Sequence, residues 1–265
     1  MQLLTVIKIG GNVIDDTDAL RNFLWTYASV SGLKILVHGG GKIASTIGLK
    51  LGIEPRMAGG RRITDADTLD VVTMVYAGLV NKNVVAGLQS EGLNAIGLTG
   101  ADGNIIPAIK RPVKTIDYGF AGDLQAERIG VASLAAFLDN GFFPVIAPIT
   151  HDGAGQLLNT NADTIAATVA EAMSSRYEVT LVYCFEKKGV LRDPEDDDSV
   201  IFTINPHSYA GLKEQGIVSK GMIPKLDNAF AALNGGVKQV RICRAADLDK
   251  VMKGTGHIST LLEPA

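Results

Sequence analysis

Short apolar segments rich in β-forming residues alternate with amphipathic helical segments along almost the whole chain of 265 residues. Six of the apolar segments are nearly continuous in apolar residues, as expected of strands that are covered on both faces. The predicted strands are 3–9, 34–37, 95–98, 144–147, 179–183 and 239–243. Because strands that alternate with helices form βαβ units, the sequence predicts an α/β fold around a mainly parallel sheet.

Two segments between these strands carry local signals of their own. Thr64, Asp65 and Asp67 are typical of a capped helix start with acidic residues in the first turn, and Gly92 is typical of a helix end. Residues 105–123 are rich in β-forming and turn residues and have no helical period. They predict hairpins inserted at the edge of the sheet.

Composition excludes several classes of protein. Apolar residues make up 46% and charged residues 20%, which favours a buried core over disorder. We find no uninterrupted apolar run near the roughly 18 residues of a membrane span, and no signal-peptide pattern at residues 1–9. The net charge of −3 argues against a nucleic-acid partner. With only two cysteines, Cys184 and Cys243, the sequence predicts reduced thiols in a cytoplasmic protein.

Glycine-rich loops follow the first two predicted strands. Lys8-Ile9-Gly10-Gly11 ends the first strand, and His38-Gly39-Gly40-Gly41-Lys42 ends the second and opens a helix. Neither loop has the GxGxxG or GxxxxGK[ST] spacing of the two commonest nucleotide fingerprints. A single loop of this kind is a tight turn more often than a phosphate site. Since ligands bind at the carboxyl ends of parallel strands, the two loops together predict an anion site.

Four basic residues lie where an anionic ligand would explain them. Lys8 ends an apolar strand, so it must reach solvent or face an anion. Lys225 follows a glycine turn near a predicted helix start, where the helix dipole disfavours a cation. Arg61 and Arg62 follow a glycine turn, and an arginine fork suits a carboxylate. The alternative for the arginines is one solvated side chain and one surface ion pair.

Asn159, Asn161 and Asp163 precede the predicted helix at 164–173. A helix N-cap accounts for only one of these three polar groups. The asparagine pair can orient a small ligand. Asp163 can hold lysines in position. Lysines, glycine N–H groups and an organising aspartate suit phosphoryl transfer, which depends on positioning and electrostatics. A carboxylate acceptor is already ionised and needs no general base. His38 is therefore interpreted as a structural histidine.

The motifs at 8–11, 38–41, 60–64, 119–123, 159–163 and 221–225 together resemble the amino-acid kinase family, in order and spacing, over nearly the whole chain. The resemblance implies a three-layer sandwich around a mainly parallel open sheet, with two lobes. Residues 1–173 would bind the acylglutamate and form a homodimer, and residues 174–265 would bind the nucleotide. The implied reaction uses ATP and Mg²⁺ to phosphorylate the γ-carboxylate of N-acetyl-L-glutamate in arginine biosynthesis, giving an acyl phosphate and ADP.

The resemblance also implies a role for individual residues. Lys8 and Lys225 would stabilise charge on the moving phosphoryl group, and Asp163 would orient both lysines. Backbone N–H groups of three glycines would bind phosphate oxygens: Gly10, Gly11 and Gly41. Four residues would bind the acylated amino acid, with Arg62 on its α-carboxylate: Gly40, Arg62, Asn159 and Asn161. No residue is expected to be a metal ligand.

Some features leave alternatives open. In the stretch 185–189, Glu186 replaces the aspartate usual in the family and Lys187 and Lys188 add charge, so nucleotide preference stays open.

The acyl group could be larger than acetyl, as in N-succinyl-L-glutamate. A catalytically silent ligand-binding regulator on the same fold is a second class of function, and the missing GxGxxG disfavours a dinucleotide-dependent oxidoreductase. Because the sequence starts on its first strand, without the N-terminal helix typical of arginine-inhibited relatives, we expect no arginine feedback.

Overall fold

A computed structural model of the chain describes residues 1–218, 221–255 and 258–264. The strands are β1 (Leu3–Ile9), β2 (Leu33–His38), β3 (Arg56–Ala58), β4 (Arg61–Ile63), β5 (Ala95–Leu98), β6 (Ile109–Lys110), β7 (Gly122–Asp123), β8 (Phe143–Ile146), β9 (Ile149–His151), β10 (Leu157–Asn159), β11 (Glu178–Phe185), β12 (Thr203–Ile204), β13 (Gln239–Arg244) and β14 (Ser259–Leu262). Eight of them form the central sheet, in the order β12-β14-β13-β11-β1-β2-β8-β5.

Ten α-helices accompany the strands in the described residues. They are α1 (Gly11–Asp15), α2 (Thr17–Ser29), α3 (Gly41–Lys50), α4 (Ala66–Thr73), α5 (Asn81–Ser90), α6 (Val131–Asp139), α7 (Ala162–Met173), α8 (Pro206–Glu214), α9 (Ile223–Asn234) and α10 (Leu248–Met252). A π-helical segment, Met74–Val80, joins α4 to α5 without a break.

The predicted parallel sheet is confirmed. Strand β1 lies at its centre and pairs in parallel with β11 on one side and β2 on the other. All six predicted strands belong to this sheet. Strands β12 and β14 extend it beyond the prediction, and β14 runs antiparallel to β13. Because β1, β2 and β11 are parallel neighbours, the loops that follow them meet at one edge of the sheet.

Helices cover both faces of the sheet, so the chain forms the predicted three layers. Side chains of β1 alternate between the two cores, as the period of a strand requires. Leu4 and Val6 face the core that includes α7 and α9, whereas Ile7 and Ile9 face the core that includes α2. Lys8 is in register with Leu4 and Val6 and therefore points towards α7 and α9, although almost all its neighbours along β1 are apolar.

The helix predicted to start after Thr64 and to end at Gly92 is present, but its N-cap is Asp65 rather than Thr64, so only Asp67 is an acidic residue of the first turn. The Asp65 side chain caps α4 by accepting a hydrogen bond from the Thr68 backbone N–H. Beyond α5, Gly92 has a φ of +77°. The helical segment Ala66–Ser90 is also the one described helix that is long and apolar enough to cross a membrane by length and composition, and 44% of its most apolar stretch is buried. Polar residues divide that stretch, so it contains no uninterrupted apolar run of this length.

Three small antiparallel sheets lie beside the main sheet, and they pair β3 with β4, β6 with β7, and β9 with β10. The predicted hairpin at 105–123 therefore forms a sheet of its own, linked by bridges to β10 and to the residue after β4. Gly119 permits this link, since a Cβ on it would lie 2.2 Å from the Thr64 carbonyl oxygen and its φ is +65°. The arrangement brings three segments that are distant in sequence to one cavity.

Candidate active site

The glycine loops after β1 and β2 border a cavity of about 850 Å³ at the carboxyl edge of the sheet. The Gly10 backbone N–H donates a hydrogen bond to the Cys184 carbonyl oxygen at 3.0 Å, which ties the first loop to β11. Gly41 begins α3, and no atom lies within 4 Å of the position where its Cβ would stand. The open space beside Gly41 and the start of α3 together suit a bound anion.

One carboxylate holds two lysines at this edge. The Asp163 carboxylate contacts Lys8 Nζ at 2.6 Å and Lys225 Nζ at 2.8 Å. Asp163 lies in the first turn of α7 and Lys225 in the first turn of α9, and these two helices pack on each other beside β1. Two ammonium groups on one carboxylate leave an excess of one positive charge facing the cavity.

The charges of this trio are perturbed by burial and by each other. Burial alone raises the pKa of Asp163, but the Lys8 and Lys225 ammonium groups outweigh it and hold the pKa at about 2. Burial also lowers the pKa of Lys8, and Asp163 opposes that change. The ring of Phe185 lies under both ammonium groups, with its centroid 5.1 Å from Lys8 Nζ and 4.5 Å from Lys225 Nζ. The carboxylate therefore stays ionised at neutral pH.

Arg62 reaches into the same cavity from β4. Its Nη2 donates hydrogen bonds to the Gly41 carbonyl oxygen at 2.9 Å and to Ser45 Oγ at 2.8 Å. Among the described residues no carboxylate forms an ion pair with Arg62, so its charge is available to a ligand. The ring of Tyr76, on the π-helical segment, lies beside Gly40, whose φ is +149°.

The two asparagines of the 159–163 motif differ in their contacts. Asn159 Nδ2 donates to Thr64 Oγ1 at 2.9 Å and leaves its side-chain oxygen without a partner among the described residues. Asn161 caps α7, because its Oδ1 accepts a hydrogen bond from the Thr164 backbone N–H at 3.0 Å. Both line the cavity. The alternative of a helix cap is thus realised by Asn161.

A second cavity of about 310 Å³ adjoins the first and shares Lys8, Gly11 and Lys225 with it. Its remaining walls come mainly from the altered stretch at 185–189 and from apolar residues that follow it: Phe185, Glu186, Lys187, Gly189, Val190, Leu191, Pro194, Ile217, Val218 and Met222. The charged residues of that stretch have partners. Glu186 accepts a hydrogen bond from Asn12 Nδ2, and Lys187 and Lys188 form ion pairs with Asp197 and Asp198.

A model of the amino acid kinase family matches residues 4–244. This chain belongs to the amino acid kinase family. It is 56% identical to an acetylglutamate kinase of Phocaeicola vulgatus over 255 residues, which cover 96% of this chain and 97% of the relative. It is also 56% identical to an acetylglutamate kinase of Cytophaga hutchinsonii over 99% of both chains. The resemblance inferred from the motifs is confirmed.

Solved structures share the fold of this kinase. The N-acetylglutamate synthase of Neisseria gonorrhoeae, in complex with coenzyme A and N-acetyl-glutamate, superposes with a TM-score of 0.81 at 24% identity. The match covers 98% of this chain and 59% of the synthase chain. A carbamate kinase of Giardia has a TM-score of 0.69 at 12% identity, covering 99% of both chains. At these identities the likeness shows the fold alone.

All ten residues predicted from the sequence of this kinase lie at the two cavities, and their individual roles stay predictions. His38 lies elsewhere, fully buried, where its Nδ1 donates to the Gly39 carbonyl oxygen and its Nε2 accepts from Asn81 Nδ2. Sequence reasoning missed other wall residues of the larger cavity: Lys42, Ser45, Tyr76 and Arg111. Ser45 could have been found, because it lies one helical turn beyond Gly41. No local sequence pattern marks Arg111 as a site residue, because only the pairing of the 105–123 hairpin brings it to the cavity.

Proposed function

We propose that this protein phosphorylates the γ-carboxylate of N-acetyl-L-glutamate with ATP, giving an acyl phosphate and ADP, as a step of arginine biosynthesis. The observation that carries this proposal is the Asp163 carboxylate between Lys8 and Lys225 at the glycine loops. A surplus positive charge at this point matches the negative charge that develops during phosphoryl transfer. The relatives named acetylglutamate kinase support the choice of substrate.

The reaction needs no proton transfer from the acceptor. A γ-carboxylate oxygen attacks the terminal phosphorus of ATP, the bond from that phosphorus to the bridging oxygen breaks, and ADP leaves with the electron pair. The acceptor is already ionised at neutral pH, so a general base is unnecessary. Lys8 and Lys225 stabilise charge on the oxygens of the moving group, and Asp163 keeps both ammonium groups in place.

Backbone and side-chain donors position the two substrates. The N–H groups of Gly11 and Gly41 bind phosphate oxygens at the loops. The Gly10 N–H is already donated to the Cys184 carbonyl oxygen, so Gly10 contributes a close backbone approach to the phosphates rather than a hydrogen bond. Arg62 binds the α-carboxylate of the acceptor with its free charge. Four residues form the acceptor site: Gly40, Arg62, Asn159 and Asn161.

Magnesium fits this site as a companion of ATP. Among the described residues no group of three or more His, Cys, Asp or Glu side chains could hold a metal ion. Both oxygens of Asp163 already face lysines. Mg²⁺ bound with ATP would be held mainly by the phosphates and would neutralise part of their charge.

The two cavities support the assignment of the two substrates to different lobes. The larger cavity is lined almost entirely by residues of the lobe 1–173, which we assign to the acylglutamate. Most walls of the smaller cavity come from the lobe 174–265, which we assign to the nucleotide. Lys225 comes from the second lobe and lines both cavities, so the phosphoryl group passes between the lobes beside it.

We also propose a cytoplasmic homodimer joined through the 1–173 lobes. The π-helical segment exposes Met74 (56%) and Leu79 (46%), and Leu49 and Leu51, at and just beyond the end of α3, are each 57% exposed. Helix α3 packs on both α4 and the π-helical segment. An exposed apolar face of this kind is typical of an interface. Cys184 and Cys243 are buried and unbridged although their Sγ atoms lie 3.8 Å apart, which favours a reducing compartment.

The direct test is ADP release coupled to a spectroscopic readout, with trapping of the acyl phosphate by hydroxylamine. We expect turnover of N-acetylglutamate with ATP and Mg²⁺, and none of glutamate or aspartate. A reaction without acceptor measures background ATP hydrolysis. If no acylated glutamate is phosphorylated, the proposal is wrong.

A further inference from the structure

Arg61 is the residue of the arginine pair that the proposed reaction leaves unused. It begins β4, lines the same cavity as Lys8 and Arg62, and is half-buried. In the described part of the chain its guanidinium forms no hydrogen bond and no ion pair. Burial lowers the pKa of Arg61, and the neighbouring Arg111 lowers it further. A desolvated guanidinium beside a second guanidinium is costly without an anion.

The nearest acidic group is already engaged by Arg111. Arg111 Nε lies 3.0 and 3.2 Å from the two Asp123 carboxylate oxygens, and its Nη2 donates to the first of them. Arg111 also lies over the ring of Tyr118, 5.2 Å from its centroid. Asp123 and Tyr118 raise the pKa of Arg61, but burial and Arg111 lower it by more, so the net change is downward. Two guanidiniums and one carboxylate leave an excess of one positive charge.

Among the described residues of the cavity, three sites have positive charge in excess, whereas Lys42 pairs with Asp15 at 3.8 Å. The first is the Lys8–Asp163–Lys225 trio, which the γ-carboxylate and the transferred phosphoryl group neutralise. The second is Arg62, which the α-carboxylate neutralises. N-Acetylglutamate has no further anionic group for the third site, formed by Arg61 and Arg111. The acyl group on nitrogen is the remaining substituent of the acceptor that could supply one.

We infer that the Arg61–Arg111 site binds a carboxylate at the end of the acyl group, so that the preferred acceptors are N-acylglutamates with a dicarboxylic acyl chain such as succinyl. This inference rests on the proposed function. An arginine fork binds a carboxylate with two parallel hydrogen bonds, which adds orientation to charge. The cavity volume of about 850 Å³ leaves room for the longer chain. A third cavity shares Arg111 and adds Lys114, so positive charge continues beyond the site.

The test compares three acceptors on the full-length enzyme with ATP and Mg²⁺. N-Acetylglutamate establishes the proposed reaction. N-Succinylglutamate is then measured against its terminal amide, which has the same length and lacks the charge. We expect kcat/KM to be about tenfold or more higher for the acid than for the amide, as one charge-assisted contact would give. The difference should lie mainly in KM and shrink as ionic strength rises.

Two variants test whether Arg61 causes the preference for the acid over the amide. Arg61→Gln should bring the ratio of kcat/KM between the acid and the amide close to one. Arg56→Gln is the matched control, because Arg56 lies in the same hairpin but is exposed and paired with Asp65. It should leave the ratio unchanged. If Arg61→Gln does not fold, the comparison of acid and amide on the unmodified enzyme still decides the question.

The failures of the two proposals are distinguishable. If no acylated glutamate is phosphorylated, the proposed function fails. If N-acetylglutamate is phosphorylated and the acid shows no advantage over the amide, the acyl-carboxylate inference alone is overturned. Arg61→Gln retaining the advantage would also overturn it. Free succinate tests a separate effector: an Arg61-dependent change in N-acetylglutamate turnover, with no advantage of the acid, assigns the site to a free anion and contradicts the inference.

Discussion

Asp163 sets the positions of both lysines at the phosphoryl-transfer site. Its side chain is 9% exposed and each of its oxygens faces one ammonium group. A buried carboxylate so paired stays charged, and removal of either lysine leaves it with half of its compensation. The trio therefore responds to substitution as a unit, in which the two lysines act on the moving charge and the aspartate acts through them.

We expect Lys8→Ala and Lys225→Ala each to lower kcat by about 10²- to 10³-fold, with much smaller changes in KM. The reason is that both contacts tighten as charge develops on the phosphoryl oxygens. Steady-state kinetics with ATP and N-acetylglutamate measures the effect. Lys238→Ala is the control, because Lys238 pairs with Glu178 at the opposite end of β11. Full activity in either site variant would contradict the assigned role of that lysine.

Arg62 should affect binding more than the chemical step. Arg62→Ala removes the charge assigned to the α-carboxylate, so KM for the acylglutamate should rise about tenfold or more while kcat changes little. KM for ATP serves as the internal control and should stay nearly constant. An unchanged acylglutamate KM would mean that another group, such as Arg61, binds the α-carboxylate.

His38 should make stability depend on pH. Burial lowers its pKa to about 4, and its Nε2 accepts a hydrogen bond from the Asn81 side-chain NH₂ group, which could not accept one from a protonated Nε2. The unfolded chain binds a proton as pH falls below 6.5, whereas the native state resists until about 4. The stability present above pH 6.5 is therefore lost across this window, by about 3 kcal/mol.

The measurement is the free energy of unfolding in urea at several pH values. His38→Asn removes the titrating group, so the decrease between pH 6.5 and 4 should be smaller in the variant than in the parent. The difference between the two proteins isolates His38 from the other histidines. Equal decreases would show that His38 does not titrate as argued.

At the scale of elements, the loop between β2 and α3 combines a constrained glycine with an unconstrained one. Gly40 has a φ of +149°, and a Cβ there would lie 3.1 Å from Tyr76 Cδ1. Gly41 has no positive φ, and the position of its Cβ is open. The π-helical segment matters here because it carries Tyr76 against the loop. A π turn within a helix is often found at functional sites.

We therefore expect Gly40→Ala to reduce the free energy of unfolding by about 1–3 kcal/mol, through backbone strain and contact with Tyr76. Gly41→Ala should change it by less than about 0.5 kcal/mol. It should nevertheless lower activity, because its methyl group would enter the space assigned to phosphate. Urea unfolding and kinetics on both variants test this pair. Equal stability losses would contradict the argument.

At the scale of the whole molecule, the exposed apolar face of the π-helical segment and α3 predicts a dimer. Light scattering after gel filtration should give a mass twice that of one chain at micromolar concentration. Leu79→Glu should reduce the mass to that of one chain, because it places a charge in the apolar face. Trp25→Glu is the control, since Trp25 is exposed on α2, outside this face. A parent protein with the mass of one chain would contradict the proposal.

Much of the fold could be predicted from local pattern. All six predicted strands belong to the main sheet, and the signals at Asp65 and Gly92 lie at the two ends of the long helix. Strands β12 and β14 were missed. Strand β12 has only two residues and depends on its partner strand, whereas β14 is as long as β5 and β8 but begins with the polar residues Ser259 and Thr260 and so lacks a continuous apolar pattern. The hairpin at 105–123 was predicted, but its bridges to Thr64 and to Asn159 of β10 were not.

The sequence by itself determined that the glycine loops and the lysines lie at one edge of a parallel sheet, because strand direction places every such loop there. Only the tertiary structure decided which charges meet. Lys8, Asp163 and Lys225 are far apart in the chain, and so are Arg61 and Arg111, and no local propensity encodes those contacts. They follow from the packing of α7 on β1 and of α9 on α7, and from the bridge between Thr64 and Gly119. Charge balance in the cavity depends on distances, and distances between remote residues arise only when the chain folds.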